Sequence, residues 1–389
     1  MPSDLSSATT EPQFAAVVDS IATDAWRRDE LLDLLREEHA LYRERSATTI
    51  ARMRGWVLLA IERAGVSDSA LAFVLEELDT GTDPYLVAAA ARALRSYPRP
   101  GASLVPFVLG ALANIRYRDE PLCFDAYGAY AVSVTGTSAV RELLSTLAWL
   151  GPHATSAIPS LEALSGPGGL PAKLRPDVQR ALQAIRDAGH PAGEAAMLSC
   201  CGARAATPKP GTGAATIDSV LLEDHAGDKI SFKAFFSGQP SIVAFFYTRC
   251  DNPLKCSLTI AKLARVQQLL ETEGIAGRIR TAAITYDPAF DLPARLRVYG
   301  QDRGLRMDAR HRLFRAITGS EAMQSHFALG VNYIGSLVNR HRIELHVLDA
   351  EARVAASFER LRWDEREVVA RAVEVLKATS KGPAPTPGR

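Results

Sequence analysis

SIVAFFYTRCDNPLKCS, residues 241–257, decides how the second half of this 389-residue chain folds. From Ser241 to Thr248 the text is apolar or small throughout, as a strand covered on both faces requires. Asn252 followed by Pro253 then opens a helix: a side-chain oxygen caps free amides, and proline takes the first helical position, where it forfeits no hydrogen bond. Leu263, Val266, Leu269 and Leu270 continue the helix, and Gly274 lies just past its C-terminus. Cys250 and Cys256 therefore flank a strand-to-helix junction, with Cys256 in the first turn. Unpaired N–H groups and the helix dipole favour a thiolate there, the form that attacks disulfides and ligates soft metals. A pair of such sulfurs suits Cu(I) or Zn(II), and without metal it can close as a disulfide.

On either side of this junction the pattern is α/β. Val220 to Leu222 and Ile230 to Phe232 read as a hairpin, Ile279 to Tyr286 as a strand, and Leu292 to Gly300 and Ala322 to Leu329 as helices. Arg342 to Leu348 and Arg353 to Phe358 form a second hairpin, and Asp364 to Lys377 the closing helix. The first half differs. Residues 13–195 show helical periodicity and almost no strand alternation, with Asp68 expected to cap one helix and Asp83-Pro84 to open the next. Leu94 to Pro106 and Leu147 to Pro159 repeat one punctuation 53 residues apart: a helix ending on Leu, a Pro/Gly turn, then an apolar residue followed by Pro. That spacing exceeds the ~40–47 of helical-pair arrays, so 116–137 reads as an insertion or an irregular repeat. The phrase at Leu150 to Leu164 resembles HEAT repeats, which implies a helical solenoid.

Four segments result. They are a HEAT-like all-α domain at 1–195, a linker at 196–216 carrying Cys200-Cys201, an α/β domain at 217–379, and a disordered tail at 380–389. Forty-five basic and 44 acidic residues leave a net charge of +1, so no chain-wide field holds nucleic acid or an anionic membrane. No run of about 18 apolar residues occurs, and the start has neither a basic nor an apolar signal region, so a cytoplasmic protein without membrane insertion is expected. Five cysteines are too few for a disulfide framework, and four of them lie between 200 and 256. Cys123, between Leu122 and Phe124, reads as a buried hydrophobe.

The run FFYTRC with Cys250-x5-Cys256, then Tyr286-Asp287-Pro288 and Asp291-Leu292-Pro293, Phe314 to Gly319 (FRAITG), and His341 eight residues before Asp349 resemble the Sco/SenC family. The resemblance spans about 160 residues, 217–377. It implies a thioredoxin fold and one copper ion per chain, held by Cys250, Cys256 and His341. In that family such a site serves copper delivery to the binuclear centre of cytochrome oxidase. The chain departs from the family's habit in having five residues between its cysteines, Asp251 and Ser257 after them, and Ala352 in the hairpin.

His346 competes for the third position. On one continuous strand His341 shares parity with Ile343, Leu345 and Val347, whereas His346 shares it with Glu344 and Leu348, so only one ring reaches the sulfurs. His311 and His326 read as surface residues, Asp287 as a support for the cysteine loop, and Cys200 and Cys201 as accessory ligands or resolving thiols. Three functions fit: a copper-binding redox protein acting on a protein or peptide partner selected by the helical domain, a metal-free thiol-disulfide oxidoreductase, or a helical scaffold with a vestigial redoxin. As an enzyme it would be an oxidoreductase using Cys250 and Cys256.

Overall fold

The computed structural model describes residues 5, 8–128, 136–166, 169–187, 217–335, 337–361 and 363–380. Cys200, Cys201, the linker and residues 381–389 of the tail lie outside these, while Ser380, expected in the tail, ends a helix. The chain divides into two compact units, Met1–Cys200 and Cys201–Arg389.

The first unit is helical. Its helices are α1 (Glu11–Thr23), α2 (Arg28–Asp33), α3 (Ala47–Ala64), α4 (Asp68–Thr80), α5 (Pro84–Leu94), α6 (Val105–Ile115), α7 (Ala139–Leu150), α8 (Ile158–Ser165) and α9 (Arg175–Asp187). Helix α3 packs on α1 and α5, α5 on α7, and α7 on α9, while α4 packs on α6. Side-chain caps start most of the long helices. Thr10 forms a capping box with Gln13, Ser46 caps α3, and Asp83 caps α5 ahead of Pro84. The cap of α4 is Ser67, not Asp68: the Ser67 hydroxyl accepts the Ala70 N–H, and Asp68 is the first helical residue. The two copies of the repeated punctuation form related corners of different length: the loop 95–101 separates α5 from its 3-10 turn, whereas the turn after α7 begins directly at Gly151. Helix α5 ends on Leu94 and α7 on Leu150, each is followed by a 3-10 turn (Ala102–Leu104 and Gly151–Ala157), and Pro106 and Pro159 sit in the first turn of the next helix. Cys123 is buried, as expected.

The second unit is a mixed sheet with helices. Its strands are β1 (Leu221–Asp224), β2 (Lys229–Ser231), β3 (Ser241–Phe246), β4 (Arg280–Thr285), β5 (His311–Ala316), β6 (Val331–Ile334), β7 (Leu337–His341), β8 (Glu344–Leu348) and β9 (Val354–Glu359). Its helices are α10 (Phe232–Phe236), α11 (Leu258–Thr272), α12 (Pro293–Gln301), α13 (Ser320–Phe327) and α14 (Glu365–Ser380). The seven-stranded sheet runs β2-β1-β5-β4-β3-β8-β9, and β6 pairs with β7 as a separate ribbon. The centre, β5-β4-β3, is parallel, with α11 and α12 as crossovers. Every residue of β3 is buried, which its unbroken apolar text required. The arrangement is that of a thioredoxin-like domain.

Strand β5 and the β6–β7 ribbon escape the sequence pattern. In HRLFRA, Arg312 and Arg315 look solvent-facing, but they pair with Asp224 and Glu223 of antiparallel β1. His311 is correspondingly buried, not exposed. Its ring bonds Thr281 Oγ1 at 2.8 Å and Arg306 at 2.6 Å, because β5 lies between β1 and β4. His326 is likewise half-buried, against Phe232 and Phe327. Among the described residues no helix is long and apolar enough to cross a membrane.

Candidate metal centre

Strand β3 delivers the chain into the cysteine loop at Tyr247. Asn252 Oδ1 accepts the Leu254 N–H at 3.0 Å and Pro253 opens the helix, as the text predicts. The first turn, Pro253–Ser257, is a π-turn that runs on into α11. Such a widened turn turns Cys256 inward, where its sulfur accepts the Tyr247 N–H at 3.4 Å. Two carboxylates from the segment after β4 hold the loop from the other side. Asp291 accepts the Thr248 N–H at 3.0 Å and also both the Thr248 and Thr285 hydroxyls. Asp287 accepts from Arg249 Nε at 3.0 Å, and the Arg249 guanidinium lies 3.9 Å above the Phe290 ring. Asp287 thus touches the residue preceding Cys250 and stays clear of the sulfurs.

His341 ends β7, and its Nε2 lies 3.5 Å from Cys250 Sγ and 3.4 Å from Cys256 Sγ. All three potential ligand atoms fall within 4.8 Å of one another. Lys255, itself buried, donates to the His341 carbonyl at 2.9 Å and ties the cysteine helix to the ribbon. The ring packs edge-on to Tyr247 at 5.3 Å and beside Tyr286 at 5.5 Å. Its Nδ1 lies 2.9 Å from the Arg342 carbonyl, which only accepts. Nδ1 therefore carries the proton, and the Nε2 lone pair faces the sulfurs.

The two thiols differ in proton affinity. A hydrogen bond from Cys256 outweighs partial burial and pulls the Cys250 thiol down to about 3. Complete burial, followed by donation to Cys250, pushes the Cys256 thiol well above its ordinary value. The expectation that the helix start makes Cys256 the thiolate is thus reversed: at 1% exposure, desolvation outweighs the dipole. Cys250, partly exposed, is the thiolate, and Cys256 is its buried donor.

His346 takes no part. It lies on β8, with Nδ1 2.8 Å from Ser357 Oγ and its ring among Phe245 and Phe327. Burial lowers it to about 3. The two histidines separate for a reason strand parity missed: Arg342 and Ile343 break the chain between β7 and β8, so the rings belong to different sheets. Sequence reasoning also passed over Lys255, Arg342 and Glu344. Glu344, between Ile343 and Leu345, is a charge inside apolar text, whereas the polar surroundings of Lys255 and Arg342 give no such signal.

The C-terminal unit is similar to solved structures. A SCO1/SenC family lipoprotein from Bacillus anthracis matches at 15% identity over 41% of this chain and 94% of that one, with a TM-score of 0.36. Bradyrhizobium japonicum ScoI with copper bound matches at 19% over 42% and 100%, TM-score 0.33. Yeast Sco1 with copper bound matches at 22% over 46% and 100%, TM-score 0.32. No curated protein matches the chain. The SCO1/SenC family model matches residues 210–376. That match, on a mixed sheet that brings two cysteines and a histidine together, makes the C-terminal unit a Sco domain.

Proposed function

We propose that Cys250, Cys256 and His341 bind one copper ion, and that the protein handles copper or uses it to oxidise a protein or peptide partner. The observation that carries this reading is the convergence of two sulfurs and a bare imidazole nitrogen within 4.8 Å. The donor set fits the metal. Two soft sulfurs and one imidazole suit copper, whereas a structural zinc site calls for a fourth ligand. Cys250 is ready as a thiolate, Cys256 gives up its proton on ligation, and His341 already presents Nε2. When bound, copper supplies one-electron chemistry. The partly exposed Cys250 is the side from which metal or partner enters, while Tyr247, Tyr286 and the burial of Cys256 keep water from the rest.

The relatives solved with copper support the choice of metal. The helical unit is assigned the task of selecting the partner, as a HEAT-like stack of helix pairs whose repeated corners follow Leu94 and Leu150. Cys200 and Cys201 are assigned an accessory role, as additional ligands or exchange thiols. Anaerobic Cu(I) and aerobic Cu(II) titration tests the reading. One equivalent bound by the wild type and lost in Cys250→Ser, Cys256→Ser and His341→Ala supports it; substoichiometric binding that ignores all three substitutions overturns it.

The unequal thiols favour one alternative, a dithiol oxidoreductase. Cys250 thiolate would attack a substrate disulfide and form a mixed disulfide, releasing one substrate thiolate. Cys256, losing its proton, would then attack Cys250, releasing the second thiolate and leaving a Cys250–Cys256 disulfide. Turnover that needs both cysteines but survives His341→Ala would favour this alternative over copper.

A further inference from the structure

We propose that the buried Arg342–Glu344 pair, seated on Gly330, is the positioning device that presents His341 to the sulfurs with Nε2 bare. The Arg342 carbonyl holds the His341 Nδ1 proton, so whatever fixes Arg342 fixes the ring. Arg342 is held on every side. Its N–H donates to the Gly330 carbonyl at 2.7 Å, and its Nε and Nη2 donate to Glu344 Oε1 at 2.9 and 2.7 Å. Its guanidinium also reaches the Ala328 carbonyl, and Nη1 lies 3.3 Å from Glu359. Glu344 is saturated in turn: Oε1 accepts the Gly330 N–H at 2.9 Å, and Oε2 accepts the Tyr286 hydroxyl. The Tyr286 ring then packs beside His341, so the network meets the imidazole at two points.

Two features show that this is a device for placement. The pair is almost wholly buried, at 2% exposure for Arg342 and none for Glu344. Apolar residues of similar size are often neutral or stabilising in place of such a pair, so stability alone does not account for it. Gly330 is the second feature. A methyl group there would meet Arg342 Nε at 2.6 Å and its Cβ at 2.9 Å, so the corner closes only over glycine. Two residues in sequence from Glu344, Arg342 cannot staple distant elements through that bond. What the bond shapes is the corner between β7 and β8, where the ligand sits.

The inference rests on His341 being the metal-facing imidazole, and its test is read without metal. In the full-length, reduced, metal-free protein with 15N-labelled histidine, wild-type His341 is expected to show a protonated Nδ1 and a bare Nε2. Glu344→Gln and Gly330→Ala should each shift the ring toward the opposite tautomer. The core truncation Val347→Ala, on the same strand, should not. Cu(I) affinity should fall about tenfold or more in the first two variants. If both fold and retain the wild-type tautomer, the proposal is overturned. Should Glu344→Gln fail to fold, the same measurement on Gly330→Ala and on the milder Tyr286→Phe decides it. A protein that shows the tautomer shift yet takes no copper overturns the copper reading and leaves this one standing.

Discussion

Arg54 and Arg342 are each buried against two carboxylates, yet they do different work. Arg54, in the middle of α3, bonds Glu37 and Glu77 at 3.0 Å each, partners 17 and 23 residues away in sequence. Arg342 bonds Glu344, two residues on, and Glu359 of the neighbouring strand. A buried ion pair between separate elements is a staple, because losing it frees whole helices. The same pair within one corner sets the local path of the backbone. In the Sco domain that path determines what a histidine presents; in the helical unit no group of potential metal ligands stands near the arginine among the described residues.

Arg54→Met gives the largest effect expected from this contrast. It takes the shared guanidinium away from two buried carboxylates and should cost the helical unit about 3–5 kcal/mol in urea unfolding. Copper affinity of the full chain should stay unchanged; a parallel loss would erase the distinction between staple and corner. His341→Ala comes next and sets the ceiling for anything the corner can do. Removing the ligand should weaken Cu(I) by at least about 100-fold, beyond the range of changes to supporting groups, with little loss of fold. A competition titration against a chromophoric chelator measures it.

The smallest effect concerns His346, a buried ring with no charged partner. Its folded pKa lies near 3, below the ordinary 6.5, so between these values the unfolded chain binds a proton that the folded one does not. Stability is therefore full above the unfolded value and is lost as pH falls toward 3, by at most about 1.4 kcal/mol per pH unit. His346→Phe should flatten that slope between pH 6.5 and 4. Cys250, held near 3, and His311 and His326, also lowered by burial, contribute to the slope that remains. An unchanged slope in His346→Phe would mean the ring is hydrated in the folded state.

Much of this was legible beforehand because it is local. Asn252-Pro253 starts a helix in any context, an uninterrupted run such as Ser241 to Phe246 has to be covered, and Asp83-Pro84 caps wherever it occurs. Cys250, Cys256 and His341 were likewise legible as a set, through the motifs around them. Strand β5 was not, because its arginines are paired across the sheet by residues some 90 positions earlier. Nor was the real boundary between His341 and His346. Strand parity assumes one continuous strand, whereas Arg342 and Ile343 interrupt it, at a corner where Gly330 and Glu344 bond around the arginine.

By itself the sequence determined a helical first half, an α/β second half, and a strand-to-helix junction carrying two thiols, since periodicity, caps and turns act over a few residues. Tertiary structure alone decided which sulfur ionises, which histidine faces it and with which nitrogen. Those choices depend on burial and on the partners the fold supplies: desolvation raises Cys256, a hydrogen bond from Cys256 lowers Cys250, and a carbonyl fixed by a buried ion pair orients the ring.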